Sequence, residues 1–437
     1  MSLTSLLSTS PKRLLIAAAL LHVFVVSGIA IAGKTQILPG TFDRNGTGIS
    51  FALDAMTYRI EALAMADLLA QGRFREWYDF EAYMAPLHVR LYSLSFVVFR
   101  KVLGEGVLGV EPLNLFYYLS ILIVTYWLGA TALSAEAGRL AAIIVGLWPS
   151  FLLMSTQLLK DHLFILSFLV LMLAIVACIQ KSLSYRGAVG FVLAGILAML
   201  TIVRARSSMW EIVLLALSAG ALLCVVGQFI HRRFELPKTI AILAMLVAGF
   251  VLPKAMQTGR IGDRIRYSAA GGVVQRTEIP RSLGLAGQIG WARNRFIAAY
   301  PNAGSNIDTD VRLSSTMDLI RYLPRAAEIG LLAPFPRMWF ARGAQVGLSG
   351  RLLSGAEMLV IYALLMLACL TVVNERKGLS VWFLFVIAVA SCVALAYVVV
   401  NVSALYRMRY GYFILIIILA AQALQRWNRS AATVLTR

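Results

Sequence analysis

The chain of 437 residues has few charged residues and few cysteines, and each scarcity excludes a class of protein. Charged residues make up 14% of the sequence and hydrophobic residues 60%, a balance that excludes an ordinary water-soluble domain. The four cysteines lack any CxxC spacing and indicate neither a disulfide framework nor a metal site. The longest polar segment, residues 254–353, contains no GxGxxG motif and no P-loop, and no basic patch is interleaved with exposed aromatic residues in a soluble domain. These absences disfavour a nucleotide-sugar site and a nucleic-acid partner.

Long hydrophobic runs dominate the sequence instead. The mean hydropathy is +0.79, and about ten runs are long enough to cross a bilayer. Lys and Arg gather in alternate short connections, which the positive-inside rule places in the cytoplasm together with both termini. We expect an all-α integral membrane protein that crosses a bacterial-type inner membrane about ten times. The runs begin near Leu14, Asn114, Leu140, Asp161, Gly187, Met209, Thr239, Ser354, Val381 and Gly411.

Two outer segments are long enough to hold a site that faces the periplasm. Residues 34–113 follow the first predicted span, and residues 254–353 separate the seventh span from the eighth. We therefore expect an N-terminal transmembrane module, 1–253, with a catalytic first outer loop. A basic outer loop, 254–353, and the C-terminal transmembrane helices, 354–437, complete the expected organisation.

The first outer loop contains an amphipathic segment from Phe51 to Leu69. Asp54, Tyr58 and Glu61 follow spacings of four and three residues, which place them on one helical face. We expect this juxtamembrane helix to lie along the membrane surface. Its acids and aromatic ring suit a sugar site or activation of a hydroxyl, whereas the alternative is that Asp54 only caps or solvates a surface helix. Apolar contacts are expected elsewhere around the helix, from Leu53, Met56, Ile60 and Leu63.

A second apolar helix is expected to open at Pro86-Leu87-His88. His88 is either a contact for a sugar hydroxyl or an ordinary buried, hydrogen-bonded histidine. Further along the chain, Lys160 and Asp161 lie at the outer end of a hydrophobic run. An ionisable group at that depth is a functional candidate, and the alternative is that Asp161 is a helix N-cap.

Two arginine pairs lie at the outer ends of hydrophobic helices. They are Arg204 with Arg206 and Arg407 with Arg409. The planar arginine fork hydrogen-bonds phosphate oxygens in two places at once, so these side chains suit a lipid phosphate. The alternative is that they reach towards lipid headgroups.

Several motifs resemble, in order, those of the GT-C superfamily of glycosyltransferases, which use polyprenyl-phosphate sugars. The first outer loop carries Asp54-Ala55-Met56-Thr57-Tyr58, then Gly72-Arg73-Phe74 and Pro86. Trp148-Pro149-Ser150 to Lys160-Asp161 resembles the third span and its outer turn, and Leu200 to Arg204 resembles the end of the fifth. Tyr406-Arg407-Met408-Arg409-Tyr410 is similar to an Arg-Tyr element near the lipid phosphate. The resemblance covers residues 1 to about 230 and the last span.

The resemblance implies a glycosyltransferase that uses direct inverting displacement. Asp54 would be the catalytic base, alone, because Ala55 stands where many members carry a second acid. The four arginines would bind the donor phosphate, and the partners would be a polyprenyl-phosphate sugar and a glycan, lipid or protein acceptor. No cofactor is certain. No residue pattern indicates a divalent metal ion, although the sequence does not exclude one. The substrate pocket would contain Tyr58, Glu61, His88, Lys160, Asp161 and Tyr410.

The second outer loop holds fourteen Lys and Arg against six Asp and Glu. This charge would attract an anionic acceptor or anionic lipid headgroups. Asp308-Thr309-Asp310 lies among turn-forming residues, so we interpret it as a turn rather than a metal motif. Asp318 to Pro324 and then Ala326 to Phe340 predict a short helix and a broken interfacial segment.

Two other functions remain open at this stage. An O-antigen or exopolysaccharide polymerase or ligase is favoured by the basic second loop, although the long first loop favours the glycosyltransferase. A transporter or flippase for a lipid-linked anion would be expected to carry mid-membrane charges, broken helices and repeated halves. In this sequence the charges cluster at helix ends.

Overall fold

A computed structural model defines the fold. It describes residues 10–38, 41–43, 48–49, 52–80, 86–180, 182–206, 209–230, 232–258, 266–267, 273–274, 284–299, 301, 303–340 and 347–435. Much of the basic second loop lies outside these ranges. Five of its arginines are therefore not described: Arg260, Arg264, Arg276, Arg281 and Arg342.

The described residues are almost entirely helical, as the hydrophobic runs predict. In the N-terminal half the helices are α1 (Pro11–Thr35), α2 (Leu53–Ala70), α3 (Phe74–Asp79), α4 (Pro86–Leu103), α5 (Val107–Ala132), α6 (Ala135–Gly146), α7 (Pro149–Ser155), α8 (Asp161–Gln180), α9 (Tyr185–Arg206), α10 (Trp210–Ile230) and α11 (Leu236–Thr258). In the C-terminal half they are α12 (Leu285–Ala299), α13 (Thr316–Leu332), α14 (Pro336–Trp339), α15 (Gly347–Asn374), α16 (Leu379–Val398), α17 (Val402–Met408) and α18 (Tyr410–Leu435). Two strands of two residues, β1 (Arg266–Tyr267) and β2 (Val273–Val274), pair with each other.

The membrane character predicted from the sequence is confirmed. Eight helices in the described part of the chain are long and apolar enough to cross a membrane: α1, α5, α8, α9, α10, α15, α16 and α18. The remaining two of the ten predicted spans are less regular. The run near Leu140 forms α6 and α7, which are bent by 67° where Pro149 starts a new helix, and the run near Thr239 gives a shorter apolar stretch, Leu236–Leu252.

The chain divides into two compact units. The N-terminal unit comprises Met1–Val273 together with Gln425–Arg437, and the C-terminal unit comprises Val274–Leu424. The predicted organisation, with divisions after residues 253 and 353, stays a prediction.

The N-terminal unit is organised around α8. This helix is apolar on all sides, and most of its residues are buried because α5, α9, α10 and α11 pack around it. By contrast, α1 leaves large apolar side chains exposed, among them Leu20 and Phe24. In a membrane-spanning helix such side chains suit contact with lipid.

The first outer loop forms the helices predicted from the sequence, and one face of α2 packs into the N-terminal unit. Its side chains at Ala55, Tyr58, Ala62, Met65 and Ala66 are buried in a core shared with α4. On the other side of the helix, Met56 and Ile60 are about half exposed. Small residues on the buried face let α2 approach α4 closely.

In the C-terminal unit, α13 corrects the prediction of a short helix that stops near Pro324. The helix continues through Pro324 to Leu332. Ser315 and Asp318 form a capping box at its start, and Tyr322, Ala326 and Ile329 are buried along one side. This cap and this packing offset the backbone hydrogen bond that an internal proline removes. A separate short helix, α14, follows.

Candidate functional site

The face of α2 that carries the predicted site residues points into the N-terminal unit. Tyr58 is fully buried and Glu61 is 6% exposed, whereas Asp54 is half-buried in the first turn. The positive end of the helix dipole favours a carboxylate at that position. Asp54 therefore remains partly exposed, whereas Tyr58, one turn later, lies in the core.

His88 lies against this face from α4. Its ring centroid is 4.3 Å from that of Tyr58, in an edge-to-face arrangement, and 6.4 Å from that of Tyr92. The imidazole is 1% exposed. Among the described residues, neither ring nitrogen has a hydrogen-bond partner. The expectation of an ordinary, hydrogen-bonded buried histidine is therefore not met within the described part of the chain.

Burial determines the charge of His88. It lowers the pKa of the imidazole well below its ordinary value, the charges of Lys160 and Arg206 lower it further, and Asp161 opposes them. The ring is therefore neutral at pH 7, with one nitrogen that donates and one that accepts. The charged groups of Lys160, Asp161 and Arg206 therefore all act electrostatically on this imidazole.

Lys160 and Asp161 occupy the end of the turn between α7 and α8. Lys160 Nζ lies 5.9 Å from the centroid of the Tyr58 ring, so the turn contacts the Asp54 helix. Asp161 begins α8 and is 3% exposed. Arg206 Nη2 donates to Asp161 Oδ1 over 2.7 Å. Asp161 therefore joins the start of α8 to the end of α9 through a buried ion pair.

The two arginines at the end of α9 have different surroundings. Arg206 is 7% exposed, and its guanidinium carbon lies 5.5 Å from the centroid of the Phe164 ring. Arg204 is exposed. Between them, Ala205 packs with Tyr117 and Leu163 in a small apolar cluster that Leu87 and Leu91 also contact. That cluster fixes the end of α9 beside α4.

The N-terminal unit thus brings five of the eleven predicted site residues together. Four segments far apart in the sequence contribute Tyr58, His88, Lys160, Asp161 and Arg206, each linked to another by a ring contact, an ion pair or an electrostatic effect. The cluster combines a neutral imidazole, two cations and a carboxylate. Such a set can bind a phosphate and a hydroxyl while a half-buried carboxylate, Asp54, lies one helical turn from Tyr58.

In the C-terminal unit, Arg407 and Arg409 also differ. Arg407 is half-buried, whereas Arg409 is 0% exposed. Arg409 donates to the carbonyl oxygen of Gly330 over 2.8 Å and to that of Ala333, both at the end of α13. Its guanidinium carbon lies 4.5 Å from the centroid of the Phe413 ring. Arg409 therefore caps a helix terminus in the described structure.

Tyr410, the last predicted pocket residue, lies beside Arg409. Its side chain is 6% exposed, and its ring is edge-to-face with Tyr406 at a centroid distance of 5.7 Å. The Tyr406 hydroxyl in turn hydrogen-bonds the buried carboxylate of Glu357. These contacts form an aromatic and acidic cluster around the end of α17.

Asp308 of the Asp308-Thr309-Asp310 sequence is part of a network of hydrogen bonds. Its backbone is left-handed, with φ of 52°, and its carboxylate accepts from Arg325 Nε over 2.9 Å and from the Tyr322 hydroxyl over 3.1 Å. Burial raises the pKa of Asp308, but these bonds and the charge of Arg325 outweigh it and hold the pKa below its ordinary value. The described residues contain no group of three or more His, Cys, Asp and Glu that could hold a metal ion.

Sequence reasoning missed several buried polar residues beneath the site. His22 Nδ1 lies 2.7 Å from Glu111 Oε1, and His22 Nε2 lies 2.9 Å from Ser155 Oγ. Gln157 is completely buried and accepts a hydrogen bond from the amide of Ile49. The partners are 89, 133 and 108 residues apart, so no local spacing could have indicated them.

No protein-family model matches the sequence, and no curated protein matches it significantly. The structure is similar to the crystal structure of ArnT from Cupriavidus metallidurans bound to undecaprenyl phosphate. The sequence identity is 14% and the TM-score 0.36, over 93% of this chain and 77% of that chain. A likeness this low assigns neither a family nor a function.

Proposed function

We propose that the protein is a membrane glycosyltransferase that moves a sugar from a polyprenyl-phosphate donor to a glycan, lipid or protein acceptor on the outer face of the inner membrane. One observation carries the proposal: the buried side chains of Tyr58, His88, Asp161 and Arg206 and the half-buried Lys160 form a single polar cluster, and Asp54 lies one helical turn from Tyr58. The order of the sequence motifs supports it independently.

In the proposed reaction, an acceptor hydroxyl oxygen attacks the anomeric carbon of the donor sugar. The bond from that carbon to the phosphate oxygen breaks, and the polyprenyl phosphate leaves with the electron pair. Asp54 takes the proton of the hydroxyl as the bond forms. Its half-buried position in the first turn of α2 suits this role, because a base must be reached by an acceptor from outside. Direct displacement inverts the configuration at the anomeric carbon.

Negative charge builds on the phosphate as it leaves. Cations fixed beside it would stabilise the transition state more than the ground state. In the N-terminal unit we assign this role to Arg204 and Arg206, with Lys160 in the substrate pocket. Arg206 already neutralises Asp161, whereas Arg204 is exposed and has its charge available to an incoming anion.

Arg407 and Arg409 are also assigned as ligands of the donor phosphate. Only the sequence motif supports this assignment. For Arg409, contact with a phosphate requires its guanidinium to release the carbonyl oxygens of Gly330 and Ala333. The side chain of Arg407 is half-buried, so its guanidinium lies closer to the surface than that of Arg409.

We assign His88 to a sugar hydroxyl rather than to proton transfer. A neutral imidazole whose pKa is held low is a poor base but can donate from one nitrogen and accept at the other. Tyr58 and Glu61 would shape the pocket from α2, with Asp161 opposite, and Tyr410 keeps its predicted pocket role on the sequence argument.

The test is a gene deletion complemented with the wild type, Asp54→Asn or Asp67→Asn, followed by mass spectrometry of lipid-extractable glycans. Asp67 lies on the same helix and is exposed, so its variant is the matched control. We expect a polyprenyl monophosphate sugar to accumulate in the deletion strain and with Asp54→Asn at normal protein levels, but not with Asp67→Asn.

The opposite result would identify a polymerase or ligase. Accumulation of diphosphate-linked oligosaccharide repeats, with Asp54→Asn fully active, contradicts both the donor and the base. The basic second loop would then be the place to look for the acceptor site.

A further inference from the structure

The turn between α7 and α8, residues 156–160, is mostly buried, and hydrogen bonds link it to neighbouring segments of the chain. Gln157 at its centre is 0% exposed. Its Oε1 accepts from the amide of Ile49 over 2.9 Å, and its Nε2 donates to Thr156 Oγ1 over 2.7 Å. Both ends of the side-chain amide are therefore satisfied, which a buried amide requires.

The backbone of the same turn is held from α4 and α5. The Tyr92 hydroxyl accepts from the amide of Leu159 over 3.1 Å and lies 3.0 Å from the carbonyl oxygen of that residue. Asn114 Nδ2 donates to the carbonyl oxygen of Gln157 over 3.3 Å. These anchors fix the residues that immediately precede Lys160 and Asp161.

Backbone hydrogen bonds continue from Ile49 to the start of the Asp54 helix. The carbonyl oxygen of Ile49 accepts from the amide of Ala52 over 3.0 Å, and the carbonyl oxygen of Ala52 accepts from the amide of Ala55 over 2.8 Å. Ala52 is the N-cap position of α2. A displacement of Ile49 would therefore also displace the first turn of α2, where Asp54 lies.

From these contacts we infer that Gln157 is a positioning residue for the sugar transfer, an inference that rests on the proposed function. Its side chain fixes the N-terminus of α2, and with it Asp54, relative to the turn that presents Lys160 and Asp161. No other described side chain hydrogen-bonds the amide of Ile49. Small displacements at such a link matter, since about 1 Å of misplacement can cost about 100-fold in rate.

Gly48 supports the inference independently. Its φ is +111°, a conformation that favours glycine. A Cβ built at this position would overlap Gln157 Oε1. The segment that approaches Gln157 therefore needs a residue without a side chain at this point.

The first experiment measures hydrogen exchange by mass spectrometry on the full chain in detergent, comparing wild type, Gln157→Met and Ser155→Ala. Methionine keeps the length of the side chain but removes the acceptor for Ile49. Ser155 lies two residues earlier, is almost as buried, and hydrogen-bonds His22 rather than Ile49. We expect faster exchange in the peptide that contains Ile49 for Gln157→Met only, with the peptide covering α4 unchanged. Equal protection of Ile49 in all three proteins overturns the inference.

The second experiment measures sugar transfer by the same proteins and by Gly48→Ala. We expect kcat to fall by about 10- to 100-fold for Gln157→Met and Gly48→Ala, with KM for the donor within about 3-fold of wild type. Ser155→Ala should keep kcat within about 3-fold even if its melting temperature falls. A loss of kcat for Ser155→Ala equal to that for Gln157→Met would mean that general destabilisation is the cause.

The two experiments separate the inference from the proposed function. If wild-type protein transfers no sugar from a polyprenyl-phosphate donor, the proposed function fails and the exchange result alone decides whether Gln157 holds the start of α2. If wild type is active but Gln157→Met keeps its kcat, the positioning role fails and the proposed function stands.

Discussion

Arg206 Nη2 lies 2.7 Å from Asp161 Oδ1, and both side chains are at most 5% exposed. The pair joins the end of α9 to the start of the preceding membrane helix, α8, between residues 45 positions apart in the sequence. In a low-dielectric surrounding, each charge depends on the other, because an unpaired buried ion loses its hydration without compensation. Arg204, two residues earlier, is exposed and makes no ion pair with the described residues.

Arg206→Gln should therefore lower the free energy of unfolding by about 3–5 kcal/mol, the cost of leaving one partner of a buried pair alone. Arg204→Gln should change it by no more than about 0.5 kcal/mol, as is usual for an exposed side chain. Thermal unfolding in detergent compares the two variants. The double variant Arg206→Gln with Asp161→Asn should lose less than the sum of its parts. Equal losses for the two arginines would refute the assignment.

Asp54→Asn should lower kcat by about 10²- to 10⁴-fold, the usual contribution of a general base. Its melting temperature should stay close to that of wild type, because Asp54 is only half-buried. A reconstituted assay with a polyprenyl-phosphate sugar measures the rate. Asp67→Asn removes a carboxylate from the same helix, where Asp67 pairs with Arg100 at the surface, and should leave kcat unchanged.

His88 should make the stability of the protein fall in acid. Because burial lowers its pKa well below the ordinary value, the unfolded chain takes up a proton at this position before the folded protein does. The free energy of unfolding should fall as the pH drops below about 6.5, by up to about 1.4 kcal/mol per pH unit, until the lower pKa of the folded state is reached. Above about pH 6.5 both states are neutral at this position and the effect vanishes.

Urea unfolding of wild type and His88→Gln at a series of pH values measures this contribution. The difference in slope between the two proteins isolates the imidazole from the other titrating groups. Parallel curves below about pH 6.5 would mean that His88 is not held neutral in the folded state.

Arg409→Lys should destabilise the C-terminal unit, since a lysine cannot reproduce the fork that reaches the carbonyl oxygens of Gly330 and Ala333. We expect a loss of about 1.5–3 kcal/mol, the range for one hydrogen bond to a charged group. Arg407→Lys, at the half-buried neighbour, is the matched control and should melt near wild type. Weaker donor binding by Arg409→Lys at unchanged melting temperature would instead favour direct contact with the phosphate.

In the first outer loop, the sequence pattern predicted the helix but not which of its faces is buried. The segment Phe51 to Leu69 predicted a helix, and α2 spans Leu53–Ala70. The spacing also placed Tyr58 and Glu61 on one face, and both are buried. The pattern could not decide which face turns inward. Met56 and Ile60 are as apolar as a core requires, but the small side chains of Ala55, Ala62 and Ala66 allow closer packing on α4.

Two prolines affect their helices in ways that the hydrophobic runs did not predict. Pro149 starts a new helix after a bend of 67°, which agrees with its preference for the first turn. Pro324 lies inside α13 instead of ending it. The capping box at Ser315 and Asp318 and the buried contacts of Tyr322 and Ala326 hold that helix together, and only the packing reveals their combined effect.

The sequence by itself determined that the chain is a helical membrane protein, because the transfer of apolar side chains into lipid depends on composition and length rather than on partners. It also showed which ionisable residues are available, namely acids in the first outer loop and arginines at helix ends. Only the tertiary structure decided which of these residues meet. The contacts of Arg206 with Asp161, of His88 with Tyr58 and of Gln157 with Ile49 join separate segments. They depend on close packing between helices, which no local pattern encodes.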